Sequence, residues 1–452
     1  MTPALARLRA GLSGLGPAWL AGAIAAGPAT MASLVTAGAA FGYDLLWVVV
    51  LSAVFGTLAQ YLAMRLGLLT ERGIVSVVEE RLGDGWAWLL VGDTVLAAGL
   101  AQLVIMLTLA SVSAALFPGS IPLWGVLWAV VLAVGLAGGG YRVAELGAKV
   151  LVALVVVAFV ASLAIVPPDP GAALAGLVPS LPASTGGLSS ALVAAGILGG
   201  AVHITLVTMQ SYTMRSRGWT RGDYDTALVD VVGSMGVAFG LYSLAIFLVV
   251  ATVLPGQVED TVGAIAASQA LAPLAGEYAS RLFLAGLLGA AVSTLGGNTV
   301  VPPYLLADKL GWETDVSDSR YRALLAGFAL LSAGGALLGQ GLPFLPLLVL
   351  VLAFGLIGTP FALLVVLYLL NDPEAVPEPN GRARNVAGAV LFGVVLAINA
   401  VQLAERVGTA SGAVDALVLA FAAAVGLATL VLLVKFLRAA TRDPGTVASR
   451  GD

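Results

Sequence analysis

Runs of roughly twenty apolar residues recur from one end of this 452-residue chain to the other, and no other feature restricts its fold so severely. A helix needs about 20 such residues to cross the hydrocarbon core of a bilayer. Inside that core every backbone N–H and C=O must be satisfied within the protein, which leaves helices as the solution for runs of this kind. Charged residues make up only 10% of the chain, against about 25% in a soluble domain. The chain therefore reads as an all-α polytopic membrane protein. It contains no cysteine, which excludes disulfides and thiol–metal chemistry, and its single histidine is His203. Met1 to Gly16 runs into the first apolar stretch with Arg7 and Arg9 but no cleavage site, so no cleavable signal is expected.

Hydropathy places twelve helices near 16–40, 44–66, 86–116, 121–138, 142–165, 188–212, 225–254, 279–301, 322–340, 343–369, 386–404 and 413–436. With the N-terminus inside, nineteen of the 21 basic residues fall on the inner side, and only Arg281 and Arg406 lie outside. This is the positive-inside pattern, and it predicts that both termini are cytoplasmic. The expected organisation is a cytoplasmic segment (1–15), helices 1–5 (16–165), an extracytoplasmic loop (166–187), helices 6–10 (188–370), a cytoplasmic loop (371–385), helices 11–12 (386–436) and a cytoplasmic tail (437–452).

Two helices carry interruptions. Gly27-Pro28 sits within helix 1, and Pro28 removes a backbone donor at a depth where water cannot replace it. Alone, this is either a simple kink or a binding site. Helix 6 has a second cluster, "AGILGGAVHITLVT", with Gly196, Gly199 and Gly200 just before His203. Helices 1 and 6 open two five-helix units, and five being odd, the second unit enters the membrane from the opposite side. Interrupted helices at matching positions of two inverted halves point to a transporter site. The expectation is that 27–30 and 198–202 are unwound and face each other at mid-membrane.

Several segments resemble the natural-resistance-associated macrophage protein (Nramp) family of divalent-metal transporters. "TAGAAFGYDLLWVVVLSAVFGTLAQYLAMRLGLLTERG" resembles its helix 1–2 segment, and "GGGYRVAELGAKVLVALVVVAFV" its helix 5 entry. "GLVPSLP" is similar to the loop before helix 6, "AASQALAPLAGEYASRLFLAGLLGAAVSTLGG" to helix 8 and "LIGTPFALLVVLYLLND" to the end of helix 10. The resemblance spans about helices 1–11. It implies a leucine-transporter-type fold, an inverted five-helix repeat followed by two C-terminal helices.

The family's metal-site motifs are altered. The helix 1 motif Asp-Pro-Gly-Asn matches Gly27, Pro28, Ala29 and Thr30, so the carboxylate is absent and the amide has become a hydroxyl. The helix 6 motif Met-Pro-His matches Ala201, Val202 and His203, so the thioether is gone. The family's second helix 6 histidine falls at Thr208, and its helix 10 glutamine at Leu352. What remains is backbone carbonyls, including that of Leu198, one hydroxyl and space. Thioethers favour softer transition metals, whereas carbonyl oxygen and water suit magnesium or manganese. Divergent branches of the family include magnesium transporters, as the resemblance implies.

The expected substrate pathway is therefore Gly27, Pro28, Ala29, Thr30, Leu198, Gly200, Ala201 and His203. An intramembrane ionisable residue such as His203 is a functional hypothesis by default; the bland alternative is a neutral packing histidine bonded to a carbonyl. Thr30 is either a site hydroxyl or one that bonds back into its own helix. Gly196 and Gly200 have small-xxx-small spacing, which close packing also explains. Asp93 either pairs with an arginine near the inner surface or lines an inner vestibule. Gln102 is the only polar group comparable to the family's proton-passage acids in helix 3. Asn298 reads as helix–helix glue.

Three functions follow. The first is a transporter of a divalent cation, magnesium or manganese, weakly or not proton-coupled. The second is a same-fold transporter of a small organic solute whose carboxylate would meet the helix N-terminus at Ala29-Thr30. The third is a sensor or scaffold that no longer transports. An enzyme is not expected: there is no cysteine, no HExxH and no paired aspartate in a helix interior. The expected partners are the transported cation and the bilayer, with no cofactor, nucleic acid or obligate protein partner.

Overall fold

The computed structural model describes residues 27–138, 142–185, 188–255, 268–342, 344–409 and 412–442. Among them ten helices are long and apolar enough to cross a membrane, and two shorter apolar ones, Pro28–Phe41 and Val150–Ile165, bring the number to the expected twelve. Among the described residues there is no β-strand, only one isolated bridge between Thr185 and Leu188. Residues 1–26, where helix 1 was expected to start, and residues 443–452 of the expected tail lie outside the described residues.

Several helices differ from the hydropathy reading in their ends. Helix 2 (Leu46–Thr70) is longer than expected and is followed by a short helix, Ile74–Leu82, before helix 3 (Asp84–Leu116). Helix 8 (Ala279–Leu310) continues past Pro302 and Pro303, where the sequence reading ended it. Two prolines forfeit two ladder bonds, but both are buried, where packing of neighbouring helices holds the segment together. By i→i−4 geometry Pro302 leaves the Asn298 carbonyl without its helical donor. Helix 7 contains a π-helical stretch, Val232–Phe239, between Tyr224–Val231 and Gly240–Val253. Helix 10 is divided at Gly358 into Phe344–Ile357 and Thr359–Asn371. Helices 11 (Arg382–Thr409) and 12 (Ala413–Arg442) complete the order.

The protein is an inverted repeat of five plus five helices with two more at the C-terminal end. Small residues let its inner helices touch. A Cβ at Gly38 of helix 1 would stand 2.9 Å from the Ala251 nitrogen of helix 7, so no larger residue fits there. Helices 1, 6, 8 and 10 are mostly buried among neighbours, whereas helices 4, 11 and 12 leave many apolar side chains outward, as lipid-facing helices do. At one end, Tyr43 ties helix 1 to helix 7 by a 2.6 Å bond between its hydroxyl and that of Thr252. The loop after helix 5 closes over this end, with Trp47 Nε1 donating to the Ser180 carbonyl at 2.9 Å. At the opposite end, Asp308 of helix 8 accepts from the Tyr212 hydroxyl at 2.7 Å and the Ser76 N–H at 3.1 Å, and Arg81 pairs with Asp372 at 2.7 Å.

Candidate functional site

The described segment of helix 1 starts at Pro28, with Gly27 as its extended N-cap (φ −71°, ψ 177°). Proline in the first helical turn lacks only an N–H that has no intrahelical acceptor. Gly27-Pro28 therefore begins a helical segment. The Gly27 carbonyl accepts the Met31 N–H at 3.1 Å, so residues 28–30, expected to be unwound, are helical. This segment ends at Gly42, whose φ of 54° suits glycine. No acidic residue stands in the first turn of this segment.

The break in helix 6 is shorter and later than expected. Ser190–Val202 is a continuous helix, His203 alone is extended (φ −58°, ψ 142°), and Ile204–Ser216 follows. Residues 198–202 are thus not unwound. Their glycines serve close packing: a Cβ at Gly200 would strike the Thr30 hydroxyl, and one at Gly196 would lie 2.9 Å from Ser33 Oγ. The helix leaves the carbonyls of its last four residues, Gly199 to Val202, without intrahelical donors. Val202's is taken by the Thr359 hydroxyl at 2.9 Å. Leu198, whose carbonyl was expected to be exposed, lies one residue inside the ladder.

His203 caps the second segment. Its Nδ1 accepts the Thr205 N–H at 3.3 Å and lies 2.9 Å from Thr205 Oγ1. A backbone N–H can only donate, so in the neutral ring the proton sits on Nε2. Nε2 is buried, has no hydrogen-bond partner, and faces Gly355 of helix 10. His203 offers the site a donor and cannot ligate a cation without giving up its cap.

Between these two helix ends lies a cavity of about 30 Å³. Its lining includes Gly27, Ala29, Thr30, Gly200 and His203 from the expected set. Helix 3 adds Ala101 and Ile105, helix 8 adds Thr294 and Asn298, and helix 10 adds Val351 and Leu352. The Thr294 hydroxyl is buried with no partner. Asn298 turns its amide nitrogen to the Ala98 carbonyl at 2.8 Å and to Gln102 Oε1 at 2.9 Å. Among the described residues no group of three or more His, Cys, Asp or Glu could hold a metal ion. The polar donor set is oxygen from hydroxyls and carbonyls.

Other expected residues stand elsewhere. Ala201 does not line the cavity: its methyl faces Gly56 of helix 2, and it packs with Leu206, Met235 and Phe239. Pro28 and Leu198 are also absent from the lining. Gln102 is tied to helix 8, donating to the Thr299 hydroxyl as well as accepting from Asn298. Asp93 meets no arginine. Its carboxylate is 3% exposed as a residue, lies against Gly358 at the break in helix 10, and Oδ2 has no partner. The sequence reading missed Thr294 and did not place Asn298 in the site. Their i, i+4 spacing on a buried helix, the two facing one way, was the available signal.

The family model described as natural resistance-associated macrophage protein-like matches residues 18–405. The divalent metal cation transporter MntH of Deinococcus radiodurans is 28% identical over 383 residues, covering 82% of this chain and 84% of that protein. MntH of Mycobacterium tuberculosis is 29% identical over 403 residues, covering 85% and 90%. Among solved structures, the Eremococcus coleocola manganese transporter superposes with a TM-score of 0.75 at 18% identity, covering 94% of both chains. That likeness carries the fold, and the family match carries the membership. The chain belongs to the natural resistance-associated macrophage protein-like family, a family of multi-pass membrane transporters and not of enzymes.

Proposed function

We propose that this protein moves a hard divalent cation, magnesium or manganese, across the cytoplasmic membrane by alternating access. The observation that carries the reading is the cavity at the two helix ends, about 30 Å³, in which Thr30, Thr205, Thr294 and Asn298 bring oxygen donors among apolar side chains. A water needs about 10–15 Å³ on this measure, so the space fits an ion with one or two waters and not an amino acid. Oxygen donors without sulfur favour magnesium and manganese over cadmium. The candidate ligands are the Thr30 and Thr294 hydroxyls, the Asn298 carbonyl and the Gly200 carbonyl. The names of the relatives, divalent metal cation transporter and manganese transporter, support the same substrate class.

Proton movement in this reading is weak or absent. Gly27 has no carboxylate, Gln102 is held by helix 8, and His203 is held as a cap. The same reading places both termini in the cytoplasm and the two halves at 16–165 and 188–370. A second reading is favoured by one observation. The helix N-terminus at Pro28 borders the cavity through Ala29 and Thr30 with no acidic residue in its first turn, as a carboxylate would require. Uptake into proteoliposomes, screened over metals and small organic acids with a pH dye inside, separates the readings. Magnesium or manganese uptake without acidification is expected. Faster cadmium uptake, stoichiometric acidification, or uptake of an organic acid without metal would overturn the first reading, and silence across both sets would indicate a sensor or scaffold.

A further inference from the structure

Three arginines converge at the inner ends of helices 2 and 11 without an ion partner among the described residues. Arg65 is 3% exposed on helix 2. Its Nε donates to Asn380 Oδ1 at 3.2 Å and its Nη2 to the Glu378 carbonyl at 2.6 Å. Arg384, near the start of helix 11, donates from Nε to the Tyr61 hydroxyl at 2.8 Å. Arg221, in the turn between helices 6 and 7, donates from Nη2 to the Leu69 carbonyl at 3.3 Å. Every one of these acceptors is neutral. The three side chains surround a cavity of about 240 Å³ whose lining also includes Tyr224 and Glu378. Three guanidiniums stand against one carboxylate, and guanidinium does not deprotonate in proteins. Beside them the Asn380 amide nitrogen is buried without a partner. Nearby arginines differ: Arg72 pairs with Glu80 at 2.5 Å, and Arg81 with Asp372 and Glu374.

We propose that this cavity binds a phosphate group. Clustered guanidiniums with spare N–H donors match the oxygens of a phosphate, and such charge-assisted bonds are the strong ones. The group has two sources. One is the phosphodiester headgroup of an anionic lipid, since basic pockets between helices on the cytoplasmic side take such headgroups. The other is free phosphate or a soluble phosphomonoester. The bound group would bridge helix 2 of the first half, the turn between helices 6 and 7 of the second, and the loop entering helix 11. Its occupancy therefore stabilises the inner end of the molecule.

The test uses the full chain in neutral detergent and reads thermal unfolding. One arm titrates inorganic phosphate against chloride at matched ionic strength. The other compares mixed micelles containing phosphatidylglycerol with phosphatidylcholine alone. The variants are Arg221→Gln with Arg384→Gln, which leave buried Arg65 in place, and Arg320→Gln as a control on an arginine already paired with Asp318. Stabilisation of the parent and the control is expected, with apparent affinity about tenfold or more weaker in the double variant. A shift in both arms or in the phosphate arm supports a site for the phosphate group itself, and a shift in the lipid arm alone supports a headgroup site. No stabilisation in either arm, or an equal shift in the double variant, overturns the proposal.

Discussion

Replacing Gly355 by alanine puts a methyl carbon into the imidazole of His203, with Nε2, Cδ2 and Cε1 all well under 3.0 Å away. The ring cannot stay. Overpacking of this kind costs about 1–3 kcal/mol, and losing the His203 cap adds about 1 kcal/mol. Removing a glycine from a helix returns about 0.5–1 kcal/mol. The net expectation is a destabilisation of about 2 kcal/mol, the sum of those three terms. Gly393→Ala in helix 11, where nothing lies within 4 Å, is the control and should be neutral or slightly stabilising. The decisive variant is Gly355→Ala with His203→Ala, in which the new methyl enters the space the ring leaves. The two changes should couple favourably by about 1 kcal/mol or more, as contacting residues do. Unfolding scans of the four proteins in one detergent measure this. Additive effects within about 0.5 kcal/mol would refute the placement of His203 against helix 10.

Three further outcomes are expected. Gly27→Asp should raise divalent-cation affinity by about tenfold or more by calorimetry, because it adds charge at an N-cap that already tolerates aspartate; adding Ala201→Met should bring no cadmium preference, since that side chain faces Gly56. Tyr212→Phe should lower stability by about 1.5–3 kcal/mol, as expected for a bond to a charged group, because it removes the hydroxyl that Asp308 accepts at 2.7 Å; an unchanged unfolding temperature would exclude that role. Asp318 caps helix 9 and is held down to about 2 by Arg320 and the Arg320 N–H. Its contribution is complete above the ordinary 3.8, fades as pH falls toward 2, and should be absent in Asp318→Ala, so the gap between the two melting curves must close on acidification.

Much of the fold was legible because a bilayer asks for one thing repeatedly. Twelve apolar runs became twelve helices, and Gly27-Pro28 did mark a helix boundary. The extent of the breaks was not legible. Gly196, Gly199 and Gly200 suggest unwinding, but Thr30, Ser33 and the Leu352 carbonyl press against them, so they serve as thin surface on an intact helix. Pro302 and Pro303 suggest an end, yet tertiary packing carries helix 8 through them. Ala201 was assigned to the site by motif position, but the continuous helix turns it toward helix 2. Thr294 and Asn298 were hidden because only the rotation of helix 8 decides which of its small polar residues face the cavity.

In the proposed transport reading, a break one residue long also sets how fast a bound ion can leave. On helix 6, an ion held only by the Gly200 carbonyl leaves the helical ladder untouched, so release needs no refolding. Recruiting Leu198 as well would rupture its bond to the Val202 N–H. An unmade hydrogen bond in so dry a setting costs about 1–3 kcal/mol, or roughly ten- to a hundredfold in affinity. Only the fraction of molecules already unwound would then bind tightly. Residence time in this protein therefore depends on whether helix 6 stays wound as far as Val202, and hydrogen exchange at that amide, with and without magnesium, reads it directly.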